Sequence, residues 1–194
     1  MQRVVIIEYG AGNVFSVKVA VERLGYEAVC SANPQIIKSA DKVIFPGVGQ
    51  AATAMKQLNA SGLDRVIPKL EIPVLGICLG MQLMCSYSEE GNTEGLGIFP
   101  MSVKEFEKCC KVPHVGWNGI QNLKSGLLQG IDEGERVYFV HSYYVPVSEY
   151  TIATCDYQLA FSAALRRDNF WGCQFHPEKS AGVGERILEN FLNM

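Results

Sequence analysis

The sequence predicts an α/β protein: a mostly parallel sheet flanked by helices, with antiparallel additions in the C-terminal half. Three observations predict it. Apolar runs rich in β-branched residues alternate four times with stretches of helical spacing in the first half of the chain. That alternation implies parallel strands joined by crossover helices. After residue 97 the texture changes to closely spaced strand-like runs with few helices between them. Finally, 194 residues, 48% hydrophobic and 19% charged, suffice to bury a core without staples.

The elements follow in order. "RVVIIEY" (3–9) is unbroken and apolar, as a strand covered on both faces must be. "GAGN" (10–13) is a turn. Residues 14–26 have helical spacing at Val14, Val17, Val21 and Leu24, and Gly25 stops them. "EAVC" (27–30) is a short strand. Residues 33–40 form a short helix with Pro34 at its first position. "KVIFPGVG" (42–49) is a strand running into a glycine-rich loop. Residues 50–62 are helical, with a further helix around 63–70. "PVLGIC" (73–78) is the fourth strand, followed at once by a helix over about 79–87. In sheets of this kind ligands bind at the carboxyl ends of strands, where Gly49 and Cys78 fall. In the second half, 103–108, 114–120, 136–147, 150–155 and 160–167 read as strands, some antiparallel. Residues 170–178 are another strand that runs into Pro177. Residues 180–194 close the chain as an amphipathic helix, apolar at Ile187, Leu188, Phe191 and Leu192. No repeat, low-complexity tract or linker interrupts the pattern, so one domain is expected over 1–194.

A net charge of −3 gives no general affinity for nucleic acid or anionic membrane. No apolar run reaches the length of a membrane-spanning helix, and the N-terminus lacks a signal-peptide layout. Seven cysteines lie at 30, 78, 85, 109, 110, 155 and 173, with no Cys-x-x-Cys pair and no zinc-ligand spacing. Most suit buried small hydrophobes in a reducing cytosol. Neither a metal nor a cofactor is expected.

One cysteine stands apart. Gly76-x-Cys78-x-Gly80 has the form of the nucleophile elbow Gly-x-Ser-x-Gly, with sulfur replacing the hydroxyl. There a strand passes abruptly into a helix and leaves the nucleophile strained at the apex. Larger side chains two residues either side would collide. The helix start offers positive potential to a thiolate, and free N–H groups, that of Leu79 included, to an oxyanion. The same pattern also suits a buried cysteine whose glycines permit tight packing. Cys85, seven residues on, is expected inside the helix as core.

A nucleophile needs a base, and the chain has three histidines. His176 ends the last strand in "QFHPEKS", with Glu178 two residues on and Pro177 fixing the backbone between. A histidine for proton transfer and a carboxylate to orient it complete a triad, although a strand end with a solvated glutamate would read the same. His141, in "YFVHSYY", is a rival that lacks a nearby carboxylate and reads as packed or site-lining. His114, in "PHVGWN", reads as a surface-loop or interface residue.

Gly76-Ile77-Cys78-Leu79-Gly80-Met81-Gln82 with His176-Pro177-Glu178 resembles the class I (triad) glutamine amidotransferases, over essentially the full chain. "EYGAGNVFSV" (8–17), "FPGVG" (45–49), "HVGWN" (114–118), "VYFVHSYY" (137–144) and "HPEKS" (176–180) are together similar to one branch of that family, the glutaminase subunits of imidazole glycerol phosphate synthases. Val48 stands where many relatives carry proline, as that branch has it. Glu8 replaces a commoner aspartate.

The resemblance implies a flavodoxin-like sheet and a Cys78-His176-Glu178 triad. Cys78 would attack the carboxamide of glutamine and pass through a glutamyl thioester. The oxyanion would be held by backbone N–H groups of Leu79 and of Gly47, Val48 and Gly49. Gln82, His141, Ser142 and Tyr143 would bind glutamine, and Glu90 its amino group. Ammonia would pass to a (β/α)₈-barrel cyclase subunit, with Asn13, Trp117, Tyr138 and Lys179 near the interface or tunnel mouth. Three competing readings are disfavoured by particular residues. In an α/β-hydrolase the acid precedes the histidine, whereas Glu178 follows His176. Against another class I branch, such as the anthranilate-synthase or pyridoxal-phosphate-synthase type, "PGVG" and "HVGWN" argue. A regulatory relative would not need Cys78, His176 and Glu178 intact.

Overall fold

The computed structural model describes residues 3–10, 13–107 and 111–194. Ala11 and Gly12 of the "GAGN" turn, Lys108 at the end of the 103–108 run, and Cys109 and Cys110 lie outside the described residues. In chain order the elements are β1 (Arg3–Ile7), α1 (Val14–Arg23), β2 (Glu27–Ser31), α2 (Pro34–Lys38), β3 (Lys42–Gly47), α3 (Ala51–Ser61), β4 (Val74–Cys78) and α4 (Leu79–Leu83). There follow β5 (Cys85–Ser88), β6 (Thr93–Glu94), β7 (Phe99–Glu105), β8 (His114–Gly119), β9 (Arg136–His141), β10 (Tyr143–Tyr144), β11 (Thr151–Tyr157), β12 (Leu159–Arg167), β13 (Phe170–Cys173) and α5 (Ala181–Leu192).

Seven strands form the main sheet in the order β11-β12-β13-β4-β3-β1-β2. From β13 to β2 every pair is parallel. β12 and β11 add antiparallel at one edge. The parallel part has the flavodoxin-like order, and the chain reverses direction between β1 and β3. Two smaller sheets, β10-β7-β5-β6 and β8-β9, carry most of the remaining strands. Residues 140–143, at the junction of β9 and β10, bring the second half of the chain up to Cys78.

The unbroken apolar strands are needed because each feeds two cores. Along β1, Val4 and Ile6 face the layer containing α1 and α5, while Val5 and Ile7 face the layer containing α3. All four are fully buried. Truncating one, such as Ile6→Ala, would cost about 2–5 kcal/mol, from lost burial and the cavity left behind. The helix ends follow local chemistry. Asn13 caps α1 by accepting from Ser16 N–H at 3.3 Å, Asn33 caps α2 ahead of Pro34, and Gly62 ends α3 at φ +72°. No helix among the described residues is long and apolar enough to cross a membrane.

Three expectations are corrected. The helix after Cys78 stops at Leu83 rather than near 87. The carbonyls of Leu83 and Met84 accept instead from Leu96 and Phe99, and Cys85–Ser88 join β7 as a strand. Cys85 is therefore core in a strand, not in a helix. The helix expected over 63–70 is two 3₁₀ turns, Leu63–Arg65 and Ile67–Lys69, because Pro68 has no N–H to continue it. The final strand ends at Cys173, so His176 follows a short irregular stretch instead of closing a strand.

Candidate active site

β4 delivers Cys78 to the carboxyl edge of the sheet, and α4 starts at the next residue. Cys78 takes φ +53° and ψ −111°, a region that non-glycine residues adopt only under strain. The corner is packed backbone against backbone. A Cβ on Gly80 would overlap the carbonyl oxygen of Phe45, and one on Gly47 would sit 2.8 Å from Gly80 N. So β3 and α4 can flank the cysteine only as glycine. The helix behind it is little more than one turn, so what it offers is its first free N–H groups rather than a long dipole.

His176 lies beside the sulfur. Its Nδ1 is 2.8 Å from Glu178 Oε1, and both side chains are almost wholly buried. The backbone holds it firmly: His176 N–H donates to the Tyr138 carbonyl at 2.9 Å, and the Ser180 hydroxyl donates to the His176 carbonyl at 2.6 Å. The same hydroxyl accepts from Tyr138 N–H at 2.9 Å. Nε2 of His176 has no hydrogen bond to any described residue. Burial alone would lower the imidazole pKa, but Cys78 and Glu178 outweigh it and push the value up to about 9. His176 is thus poised as a proton donor at neutral pH.

A cavity of about 270 Å³ opens over the sulfur. Val48, Gly49, Leu79, Gln82, Glu90 and residues 140–143 line it together with Cys78 and His176. The structure therefore gathers Cys78, His176, Val48, Gly49, Leu79, Gln82, Glu90, His141, Ser142 and Tyr143 in one place. Gly47 is buried, paired with Cys78 across β3 and β4. Glu178 stands behind His176. Part of Glu90 is already engaged: Oε2 accepts from Ala51 N–H at 2.8 Å, where α3 has no side-chain cap of its own. Burial raises the Glu90 pKa.

The four interface candidates lie elsewhere. Asn13 lines a small hollow behind the triad with Gly47, Val48, His176 and Glu178. Trp117 and Tyr138 face each other across β8 and β9 at 6.1 Å between ring centroids, with Trp117 half exposed. Lys179 is exposed.

His114 corrects its expectation. It is a buried residue of β8, not a surface-loop one, stacked between Phe139 and Tyr157 at 4.9 and 4.0 Å. Its Nδ1 is 3.0 Å from His141 Nε2. Burial lowers both imidazoles, His114 to about 4 and His141 to about 3. His141 is hence a neutral wall residue, as its lack of a carboxylate suggests. Sequence reasoning missed Pro113 and Val140, which line the cavity, and Gln174, whose Nε2 lies 3.8 Å from the Cys78 sulfur. Only the position of Gln174 two residues before His176 could have marked it. Of the other described cysteines, Cys85 and Cys155 are buried with thiols pushed up to about 12, and Cys173 is raised as well. Those three are inert by desolvation.

The family model described as glutamine amidotransferase class-I matches residues 5–194. Proteins named imidazole glycerol phosphate synthase subunit HisH are similar along nearly the whole chain. One from Bacteroides fragilis (strain YCH46) is 58% identical, over 99% of this chain and 100% of its own. One from Colwellia psychrerythraea is 46% identical, over 98% of this chain and 92% of its own. Among solved structures, a glutamine amidotransferase superposes with TM-score 0.75 at 18% identity, covering 97% of each chain. PurLQS from Thermotoga maritima superposes with TM-score 0.73 at 15% identity, covering 99% of this chain and 98% of that one. At such identities the likeness speaks for the fold.

Proposed function

The chain belongs to the class-I glutamine amidotransferase family, and from that premise we propose that it is the glutaminase subunit of an imidazole glycerol phosphate synthase, acting in histidine biosynthesis. It hydrolyses L-glutamine to glutamate and hands the ammonia to a cyclase subunit. The observation that carries the chemistry is the 2.8 Å His176–Glu178 pair beside a cysteine held at a strained elbow.

The Cys78 sulfur attacks the side-chain carbonyl carbon of glutamine. The oxyanion that forms is held by Leu79 N–H and by an amide of the Gly47-Val48-Gly49 loop. His176 gives its proton to the departing nitrogen, releasing ammonia and leaving a glutamyl thioester. His176 then takes a proton from water, whose oxygen attacks the thioester. Glutamate leaves, and the sulfur and imidazole return to their starting state. Glu178 orients His176 and stabilises its charge. Gln82, His141, Ser142 and Tyr143 grip the substrate, and Glu90 faces its amino group.

Free ammonia would be protonated in water and lose its nucleophilicity, so it passes directly to the partner. That partner is a (β/α)₈ barrel, docked in a heterodimer near Asn13, Trp117, Tyr138 and Lys179. It joins the ammonia to a phosphorylated aminoimidazole-carboxamide ribonucleotide, giving imidazole glycerol phosphate and an aminoimidazole-carboxamide ribotide. The whole chain works as one glutamine amidotransferase domain in the cytoplasm.

The test is synthesis by the reconstituted pair. Cys78→Ala should abolish glutamine-dependent synthesis and spare ammonia-dependent synthesis. Loss of both would make Cys78 structural. Glutamine hydrolysis should rise when the cyclase subunit and its nucleotide ligand are added, because a Val48-loop amide must turn toward the oxyanion. Equal rates would sink that gating.

A further inference from the structure

The buried amide of Gln174 has a direction that the surrounding hydrogen bonds fix. Gln174 is wholly buried, immediately after β13. One end of its side chain lies 3.8 Å from the Cys78 sulfur, the other 2.9 Å from the amide of Gln82. The oxygen and nitrogen of a glutamine amide must be assigned from the network. Here a backbone carbonyl settles the assignment. The Gln82 atom that meets Gln174 also lies 3.0 Å from the carbonyl oxygen of Tyr143, which can only accept. That Gln82 atom is therefore the NH₂, with one hydrogen for Tyr143 and one for Gln174. The Gln174 atom facing Gln82 is then oxygen, so its NH₂ faces the sulfur. The same Tyr143 carbonyl accepts from His141 Nδ1–H at 2.7 Å. That leaves His141 Nε2 as acceptor for His114 Nδ1–H at 3.0 Å. Reversing any link would set two donors or two acceptors against each other.

We propose that Gln174 is a catalytic residue: its side-chain N–H donates to the Cys78 sulfur, and the Gln82–Tyr143 network holds it in that sense. The proposal rests on Cys78 being the nucleophile of a glutaminase. A hydrogen bond to an ionised acceptor is stronger than one to a neutral acceptor. The donor therefore favours the thiolate over the thiol, both before attack and when the thioester breaks and sulfur departs with the electron pair. In the thiol form the S–H has its own acceptor, the Val140 carbonyl at 3.8 Å, so the two partners do not compete.

Two variants test this. Gln174→Met keeps length and removes the donor. Gln174→Glu keeps shape and the acceptor for Gln82 but sets a carboxylate against the sulfur. The readouts are alkylation of Cys78 by iodoacetamide as a function of pH, followed on the Cys78 peptide by mass spectrometry, and glutamine turnover with the cyclase subunit. His176, His141, Tyr9, Glu90 and Glu178, the other titratable groups around the sulfur, are unchanged. For Gln174→Met the alkylation midpoint should move up by about one pH unit, and kcat should fall roughly tenfold with little change in KM. Gln174→Glu should move both further. A folded variant with an unaltered alkylation profile overturns the proposal, as does a change confined to KM. Should Gln174→Met not fold, Gln174→Glu decides by the same readouts. If the unaltered protein hydrolyses no glutamine with its partner, the glutaminase reading fails, while the alkylation profile still reports on the donor.

Discussion

Two buried histidines sit on opposite sides of Cys78 with opposite electrostatic fates. His176, in the turn after β13, is pushed up to about 9, whereas His141, on the β8–β9 ribbon, is pushed down to about 3. Both are almost fully buried, and burial alone lowers both. The difference lies in the neighbours. His176 has the Glu178 carboxylate at 2.8 Å and the Cys78 sulfur beside it, while His141 has a backbone carbonyl and another imidazole. Burial without a counter-charge makes a neutral, hydrogen-bonding wall. Burial with one makes a proton donor. Under the proposed mechanism, proton transfer and substrate support are thus divided between two identical side chains in one site.

The largest effect should come from removing what distinguishes them. Glu178→Gln keeps the shape and takes away the charge, so the raised pKa of His176 should come down, with the Cys78 sulfur alone left to oppose burial. Glutamine turnover should fall on the order of 10³- to 10⁴-fold, as when the orienting acid of a triad is lost. An imidazole NMR titration in which His176 still holds its proton to about pH 9 would break the comparison. Next comes stability in alkali. The folded pKa of His176 lies above its unfolded value of 6.5, so its contribution is complete below pH 6.5 and is lost as pH rises toward 9. Denaturant unfolding should weaken across that window by at most about 1.4 kcal/mol per pH unit, and Glu178→Gln should flatten the slope. The smallest effect belongs to the ribbon. His114 and His141 stay neutral in the fold, so the unfolded chain binds more protons below pH 6.5. Stability should therefore fall from pH 6.5 toward 4. His114→Phe, which keeps the ring stack, should soften that acid limb, and an identical limb would remove the pair from the account.

The parallel half of the fold and the elbow were legible because their signals are local. β-branched runs, Pro34 and Gly25 act within a few residues, and Gly76-x-Cys78-x-Gly80 carries its geometry in its spacing. His176 with Glu178 was legible for the same reason. What was not legible depends on pairing at a distance. Residues 85–87 read as helix until β7 claimed them as strand. His114 read as a surface-loop or interface residue because only the register of β8 on β9 sets it opposite His141. Gln174 looked like an ordinary polar residue, since its donor role is fixed by Gln82 and by a Tyr143 carbonyl that lie far away in sequence.

The strained backbone of Cys78 has a historical side. At φ +53° and ψ −111° a glycine would rest without strain, so Cys78→Gly is a substitution that the scaffold alone would favour. If Cys78 is the nucleophile proposed above, selection for turnover acts against that drift. A descendant released from the need to cut glutamine should shed its sulfur here early, with the sheet and the surrounding helices intact. Position 78 would then record the moment when chemistry was given up and only the architecture was kept.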